Sequence, residues 1–524
     1  MASVGEVLIK GLKARGVEAV FGIPGAHTIE LYRGLAGSGV RHVTARHEGG
    51  AAFMADGYAR VSGKPGVALI ITGPGLTNAL TAMGQSRADS VPVLIISGVN
   101  HRSSLGQGLG HLHELPDQGG MIRTLCPSFQ VTAPETLEAV LAQAFAALTS
   151  GRPGPVHIEI PTDVMPLACP DLLPVPPPVG AVRPDPDQLA EAARHLNAAK
   201  RPVILAGGGV RHAAAAVRAL AERLDAPVVQ TMNARGLMWG HPLNLFASPS
   251  LAAVRDLVAA SDQILALGTE IGETEYDAYV SGRMADLSGM VRVDICAQQL
   301  ARRSAKLRIL ADAKAAAAAL LPMIAQKTAD GAGRTAAALA ASWPQLHDMA
   351  PTFPSVRLMI DAVRDAVPGS IIVGDSTQPV YAGNLLYDHD RAGGWFNSGV
   401  GFGSLGYAPG AAVGAAVAAP GVPVICLLGD GGLQFSPGEL RTAVDEDLPI
   451  TFVIWNSAGY EEIEKYMIAA GTEVIGCNPS PLKMQPFAAA CDLPFQSVAN
   501  DPAALKAAIA KPATGPRMIE VRAF

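Results

Sequence analysis

Charge is scarce in this 524-residue chain: 16% of residues are Asp, Glu, Lys or Arg, against 49% hydrophobic. That balance excludes long solvated tails and leaves ample material for large cores. The formal net charge is −6 and no Lys/Arg cluster overrides it, which argues against a nucleic-acid-binding surface. Cysteine is sparse too. The six residues (Cys126, Cys169, Cys296, Cys426, Cys477 and Cys491) form no C-x-x-C pair, so buried thiols of a reducing compartment are expected. The first 25 residues lack a continuous apolar segment, because Glu6, Lys10 and Lys13 interrupt it, and no signal peptide is expected. The long uncharged stretch 393–429 is broken by Pro409, Pro420 and Pro423. It reads as a loop, a small-residue helix over 408–418 and a strand, not a membrane span. A cytoplasmic protein with no membrane and no nucleic-acid partner is expected.

What the chain has in quantity is short β-branched runs, among them "VALIITG", "PVLIISG", "RPVILAGGG", "QILALGT", "GSIIVGD", "VPVICLLGD" and "PITFVIWN". Most end in Gly, Asp or Asn and are followed by a helical pattern, the signature of parallel α/β sheets. The Pro-rich segment 169–187 reads as a stiff linker, and a softer break follows the Ala-rich helical region 311–342. Three doubly wound α/β domains are expected, at 1–168, 185–330 and 345–524.

The stretch "LLGDGGLQFS" ends one such strand with Asp430 between glycines. Asp-Gly is a common turn dipeptide, so a plain turn is the simplest reading. The next strand, "PITFVIWN", ends at Asn456. Successive parallel strands deliver their carboxyl ends to one edge of the sheet, where ligands bind. Asp430 and Asn456 therefore read as two oxygen ligands for a hard cation such as Mg²⁺, which completes its shell with phosphate oxygens and water. Gly431 and Gly432 would let the backbone approach a phosphate. Ser436-Pro437-Gly438-Glu439 reads as a capping box opening the following helix. Earlier in the chain, "RHEGGAAFMADGYAR" sets Glu48 at the start of a helix of small and apolar residues.

Together these segments resemble the thiamine-diphosphate-dependent enzymes, in the acetohydroxyacid synthase and 2-oxo acid decarboxylase group. The resemblance covers essentially the whole chain. It implies thiamine diphosphate and Mg²⁺, the metal held by Asp430, Asn456 and the Ala458 backbone carbonyl. The second Asn of the signature is replaced by Ser457. Glu48 would hydrogen-bond N1′ of the cofactor, favouring the imino tautomer that can remove the thiazolium C2 proton. Gly403 and Leu405 would grip the aminopyrimidine, and Ser376, Thr377 and Gln378 would face the diphosphate. The middle domain has no acidic residue after "APVVQTMNARG" and an acidic "TEIGETEYDAY" where flavin-containing relatives are Arg-rich, so no FAD is expected.

The resemblance further implies non-oxidative decarboxylation of a 2-oxo acid to an aldehyde and CO₂, with carboligation of the acetohydroxyacid synthase type as the alternative. In the loop 108–118, His113 is the expected proton donor to the carbon that has lost CO₂, with His111 second. "PGAHTIELYRG", "LHELPDQ" and "GYEEIEKYM" are most similar to decarboxylases of 5-guanidino-2-oxopentanoate. Ala26, His27 and Asp117 are then expected near the substrate. Glu462 and Tyr466, on one face of a helix after Asn456, would meet its cationic tail. The architecture of the group implies a homodimer at least, usually a homotetramer, with active sites at subunit interfaces.

Overall fold

A computed structural model of the protein describes residues 1–175, 180–277, 282–511 and 514–524. Part of the Pro-rich linker and the end of "TEIGETEYDAY" lie outside these. Three six-stranded sheets follow one another along the chain, and every strand pairing is parallel. The alternation of buried apolar strands with helices is what parallel pairing requires, since each crossover lays a helix on a sheet face.

In the first sheet the spatial order is Arg41–Thr44, Ala19–Gly22, Gly66–Ile70, Val93–Val99, Pro155–Pro161, Ser128–Gln130. The third sheet repeats that order, with Trp395–Asn397, Ile371–Gly374, Val424–Gly429, Ile450–Asn456, Arg517–Arg522 and Phe495–Ala499. The central sheet is wound differently, running Leu307–Leu310, Val291–Asp294, Gln263–Leu267, Pro202–Ala206, Val228–Gln230, Asn244–Leu245. The expected helix over 311–342 is divided in two, Ala313–Leu320 and Gly331–Met349.

The first and third sheets share one core. Helix Glu48–Ser62 lies against helix Tyr407–Ala418, and both are lined with Ala and Gly. Small residues there are obligatory. A Cβ on Gly57 would stand 2.0 Å from the Ala411 carbonyl oxygen, and one on Gly414 would stand 1.9 Å from that of Met54. Beside this seam Arg60, fully enclosed, donates to Asp56 and Asp89 at 2.6 Å each, and Tyr407 donates to Asp56 at 2.7 Å. The two buried carboxylates share one guanidinium and are further hydrogen-bonded, Asp56 by Tyr407 and Ser86, and Asp89 by Gln85, which offsets their desolvation. A second core joins the central sheet to the third through Gly331–Met349 and Phe353–Ala366. Among the described residues no helix is long and apolar enough to cross a membrane.

Candidate active site

The carboxyl ends of strands Val424–Gly429 and Ile450–Asn456 are register neighbours, with Gly429 opposite Trp455. Asp430 and Asn456 therefore emerge side by side. Both are nearly buried. Asp430 Oδ1 accepts from the Ser457 amide at 3.3 Å, and burial pushes its carboxyl pKa upward despite that bond. Ala458, two residues past Asn456, sits at φ 60°, a left-handed conformation that costs a residue with a side chain about 1 kcal/mol. Among the described residues no three His, Cys, Asp or Glu side chains gather as a metal site. The donor set here is one carboxylate, one amide oxygen and a nearby strained carbonyl, all hard oxygens that fit Mg²⁺ and do not suit a softer ion.

Asp430, with Ser457 and Gly459 from the segment after Asn456, opens onto a cavity of about 460 Å³. Ser376, Thr377, Gln378, Gly403, Leu405, Gly431 and Gly432 line it, together with Glu462 and Tyr466. The size and the polar floor suit a diphosphate and its heterocycles. The buried indole N–H of Trp455, another lining residue, has no protein partner. Two glycine assignments need refinement. A Cβ on Gly431 would meet the Tyr460 ring at 2.8 Å and one on Gly432 would meet Asp375 at 3.2 Å, so both positions also make room for protein neighbours. The expected capping box over 436–439 does not form. Helix Glu439–Asp445 has no side-chain cap, Ser436 donates instead to the Gly406 carbonyl at 2.7 Å, and Glu439 turns toward the first domain.

Glu48 opens helix Glu48–Ser62, as its sequence context suggests. Asn78 donates to its Oε2 at 3.0 Å, and Gly75 leaves room for its side chain. His27 and His113 meet edge to face with ring centres 5.1 Å apart, and each has a buried Nδ1 without a protein partner. Burial, then the neighbouring His113, lowers the His27 pKa. His113 has φ 63°, and its carbonyl lies against Gly73, whose amide donates to Gln118 Oε1 at 2.9 Å. Glu48 and the two histidines thus share the 71–75 loop at one edge of the first sheet. They do not line the cavity around Asp430. Ala26 and His111 are exposed. Asp117 caps helix Gln118–Arg123 and pairs with Arg123 at 3.2 Å, so its carboxylate is engaged locally, apart from Glu462.

Several residues of the site carried no signal in the sequence. Glu275, from the central domain, lines the cavity and is pushed up to about 7 by burial. Glu461 also lines it and pairs with Lys465 at 2.7 Å. Asp375, fully buried after strand Ile371–Gly374, is raised to about 6 by desolvation and accepts from the amides of Ser376 and Ala408. Only Asp375 could have been found, as a second strand-end aspartate in "GDSTQ".

Three parallel sheets with a metal-and-diphosphate edge on the third define a class, and the chain belongs to it: it is a thiamine pyrophosphate enzyme. The family's N-terminal thiamine pyrophosphate binding domain matches residues 2–121, its central domain 189–320, and its C-terminal thiamine pyrophosphate binding domain 375–521. The chain is 41% identical over 487 residues to the probable 2-ketoarginine decarboxylase AruI of Pseudomonas aeruginosa, covering 91% of this chain and 86% of that protein. It is 31% identical to the acetolactate synthase isozyme 1 large subunit of Escherichia coli, over 99% of this chain and 93% of that one. An acetolactate synthase of Mycobacterium bovis is 32% identical over 88% and 77%.

Proposed function

We propose that the protein decarboxylates a 2-oxo acid bearing a cationic tail, with 5-guanidino-2-oxopentanoate (2-ketoarginine) as the concrete substrate. One observation carries this reading. Among the described residues the cavity is lined by four carboxylates, Glu275, Asp430, Glu461 and Glu462, and by no Lys, Arg or His. Asp430 is committed to the metal. Glu461 is paired with Lys465 and Glu275 accepts from the Met232 amide, which leaves Glu462 as the carboxylate best placed to meet a cationic tail. The similarity to a probable 2-ketoarginine decarboxylase supports the same substrate.

When bound, thiamine diphosphate supplies a nucleophilic thiazolium carbon and an electron sink for the pair left behind by CO₂. The chain's own residues do the rest. Asp430, Asn456 and the Ala458 carbonyl hold Mg²⁺, with Ser376, Thr377 and Gln378 toward the diphosphate. Gly403 and Leu405 orient the aminopyrimidine. Glu48 shares a proton with N1′. Glu462, whose Oε2 accepts from Gln378 at 3.4 Å, and the Tyr466 ring receive the guanidinium. His113, with His27 packed against it, would supply a proton to the substrate, and His111 is the second candidate for that role.

Because Glu48 does not line the Asp430 cavity, the two halves of the site belong together across a subunit interface, in a homodimer at least and a homotetramer by the habit of the family. The chain divides at 1–168, 185–330 and 345–524, the central domain holds no FAD, and the enzyme works in the cytoplasm. The acetolactate synthase relatives favour a second reading, carboligation, in which a second 2-oxo acid takes the place of the proton. Assay of CO₂ release over a panel of 2-oxo acids, with product analysis on pyruvate alone, tests both. Aldehyde from the guanidino acid supports the first reading, and a 2-hydroxy-3-oxo acid from pyruvate supports the second.

A further inference from the structure

Helix Glu48–Ser62 begins in an unusual way. His47 is its N-cap, and the His47 Nδ1 accepts from the Gly49 amide at 3.1 Å. In an ordinary capping box the residue at the third helical position is Glu or Gln, and its side chain reaches back to the amide of the N-cap residue. Here that position is Gly50, which has no side chain. The amides of His47 and Arg46 still find a carboxylate. Glu439 Oε1 accepts from His47 N at 3.1 Å and from Arg46 N at 3.2 Å, and Glu439 Oε2 accepts from Thr442 Oγ1 at 2.9 Å.

Glu439 belongs to the third domain and is fully enclosed. Its carboxylate occupies the space that a side chain at Gly50 would take, since a Cβ there would stand 2.0 Å from Oε1. The contact is one of several on the same seam. Thr442 Oγ1 lies 3.2 Å from the Thr44 carbonyl, and Arg41 pairs with Glu446 at 2.7 Å. Arg46 also pairs with Asp445. A negative charge beside the N-terminus of a helix is favourable, and the first amides of a helix have no partner within it.

We propose that Glu439 is a positioning residue for Glu48: it completes the capping box of the Glu48 helix from another domain and so fixes where the Glu48 carboxylate points. The inference rests on the reading of Glu48 given above. Glu48 is the first helical residue, immediately after the two amides that Glu439 holds. Loss of that grip leaves those partly buried amides without their carboxylate and frees the first turn to fray. Gln at 439 cannot substitute. It has one accepting oxygen for three donors, and its amide N–H groups would face donors.

The test compares wild type, Glu439→Gln and Gly50→Ala as holoenzymes with thiamine diphosphate and Mg²⁺. Three quantities are measured: hydrogen–deuterium exchange at C2 of the bound cofactor, its dissociation constant, and backbone amide exchange over 44–52. Glu439→Gln is expected to slow C2 exchange at least tenfold and speed amide exchange at 46–50 about tenfold, while cofactor affinity changes less than threefold. Gly50→Ala, which displaces the carboxylate from the other side, is expected to do the same and decides the question if the Gln variant does not fold. C2 exchange within twofold of wild type overturns the proposal, as does a loss of amide protection spread evenly over the third sheet. Glu48→Gln is the control. If it too leaves C2 exchange unchanged, the reading of Glu48 fails; if it alone slows exchange, only the role of Glu439 fails.

Discussion

The Asn456 side-chain amide donates to Glu520 Oε1 at 2.7 Å, which leaves its oxygen to accept from the Ala458 amide at 3.1 Å. Glu520 sits on the adjacent strand opposite Ile454, two residues before Asn456 and on the same face of the sheet. A ligand amide held in this way cannot flip and present its N–H₂ group to a cation. Glu520→Ala is expected to weaken Mg²⁺-dependent cofactor binding by about 10–100-fold, the usual cost of removing an outer partner of a metal ligand. Titration of thiamine diphosphate into chelator-treated protein at several Mg²⁺ concentrations measures it. Asp430→Ala removes the carboxylate itself, and activity is expected to be lost outright. Binding that is equally tight without Mg²⁺ contradicts both.

Glu48→Gln keeps the shape and the hydrogen bond to Asn78 but cannot share a proton with N1′. The fold and cofactor affinity are expected to stay near wild type while C2 deprotonation slows by about 10²–10⁴-fold. Exchange at C2 within a few-fold of wild type makes Glu48 a helix-start residue and nothing more.

The proposed role of Glu462 in substrate choice can be tested directly. A guanidinium bound to its carboxylate gains about 1.5–3 kcal/mol, or ten- to a hundredfold in discrimination. Glu462→Gln is expected to lower kcat/KM for 5-guanidino-2-oxopentanoate by that factor and to leave an uncharged 2-oxo acid of equal length nearly unaffected. Equal losses on both substrates point to a general role in the cavity.

Stability should fall in mild acid because of His157. This imidazole is enclosed in the first domain between Ser97 Oγ and Ser128 Oγ, each 2.8 Å away, and desolvation pushes its pKa down to about 3 from 6.5. The depressed value means the unfolded chain takes up a proton first. The stabilisation is complete above pH 6.5 and is lost as pH falls toward 3. At pH 5 the loss is about 2 kcal/mol. Thermal unfolding at pH 7.5 and pH 5 is expected to show a smaller drop for His157→Gln than for wild type.

How far the sequence could be read depended on the range of each interaction. Strand-end residues such as Asp430 and Asn456 were legible because a parallel sheet brings successive carboxyl ends to one edge, and Glu48 because its helix declares itself in the small residues after it. Glu439 was misread. Its local context, three residues after a serine, is that of a capping box, and nothing nearby reveals that its partners are the amides of Arg46 and His47. Glu275 and Glu520 were invisible for the same reason: a carboxylate in a loop or an alternating strand gains its meaning from what another domain or strand sets beside it. Gly50 and Gly57 read as generic small residues, and only the packing shows which atoms take their space.

The backbone contact between helices Glu48–Ser62 and Tyr407–Ala418 has a consequence for how substrate enters. A joint without side chains at Gly57 and Gly414 has no slack to rock or slide, and the Arg60 ion triad pins it at one side. A hinge between the first and third sheets would have to break that contact. Traffic in and out of the cavity falls to the short segments that form its rim, 399–405 and 457–466, where Phe402, Tyr460, Ile463 and Tyr466 are exposed. Access to the cavity is thereby set by side chains of the third domain's loops, not by the joint between the sheets.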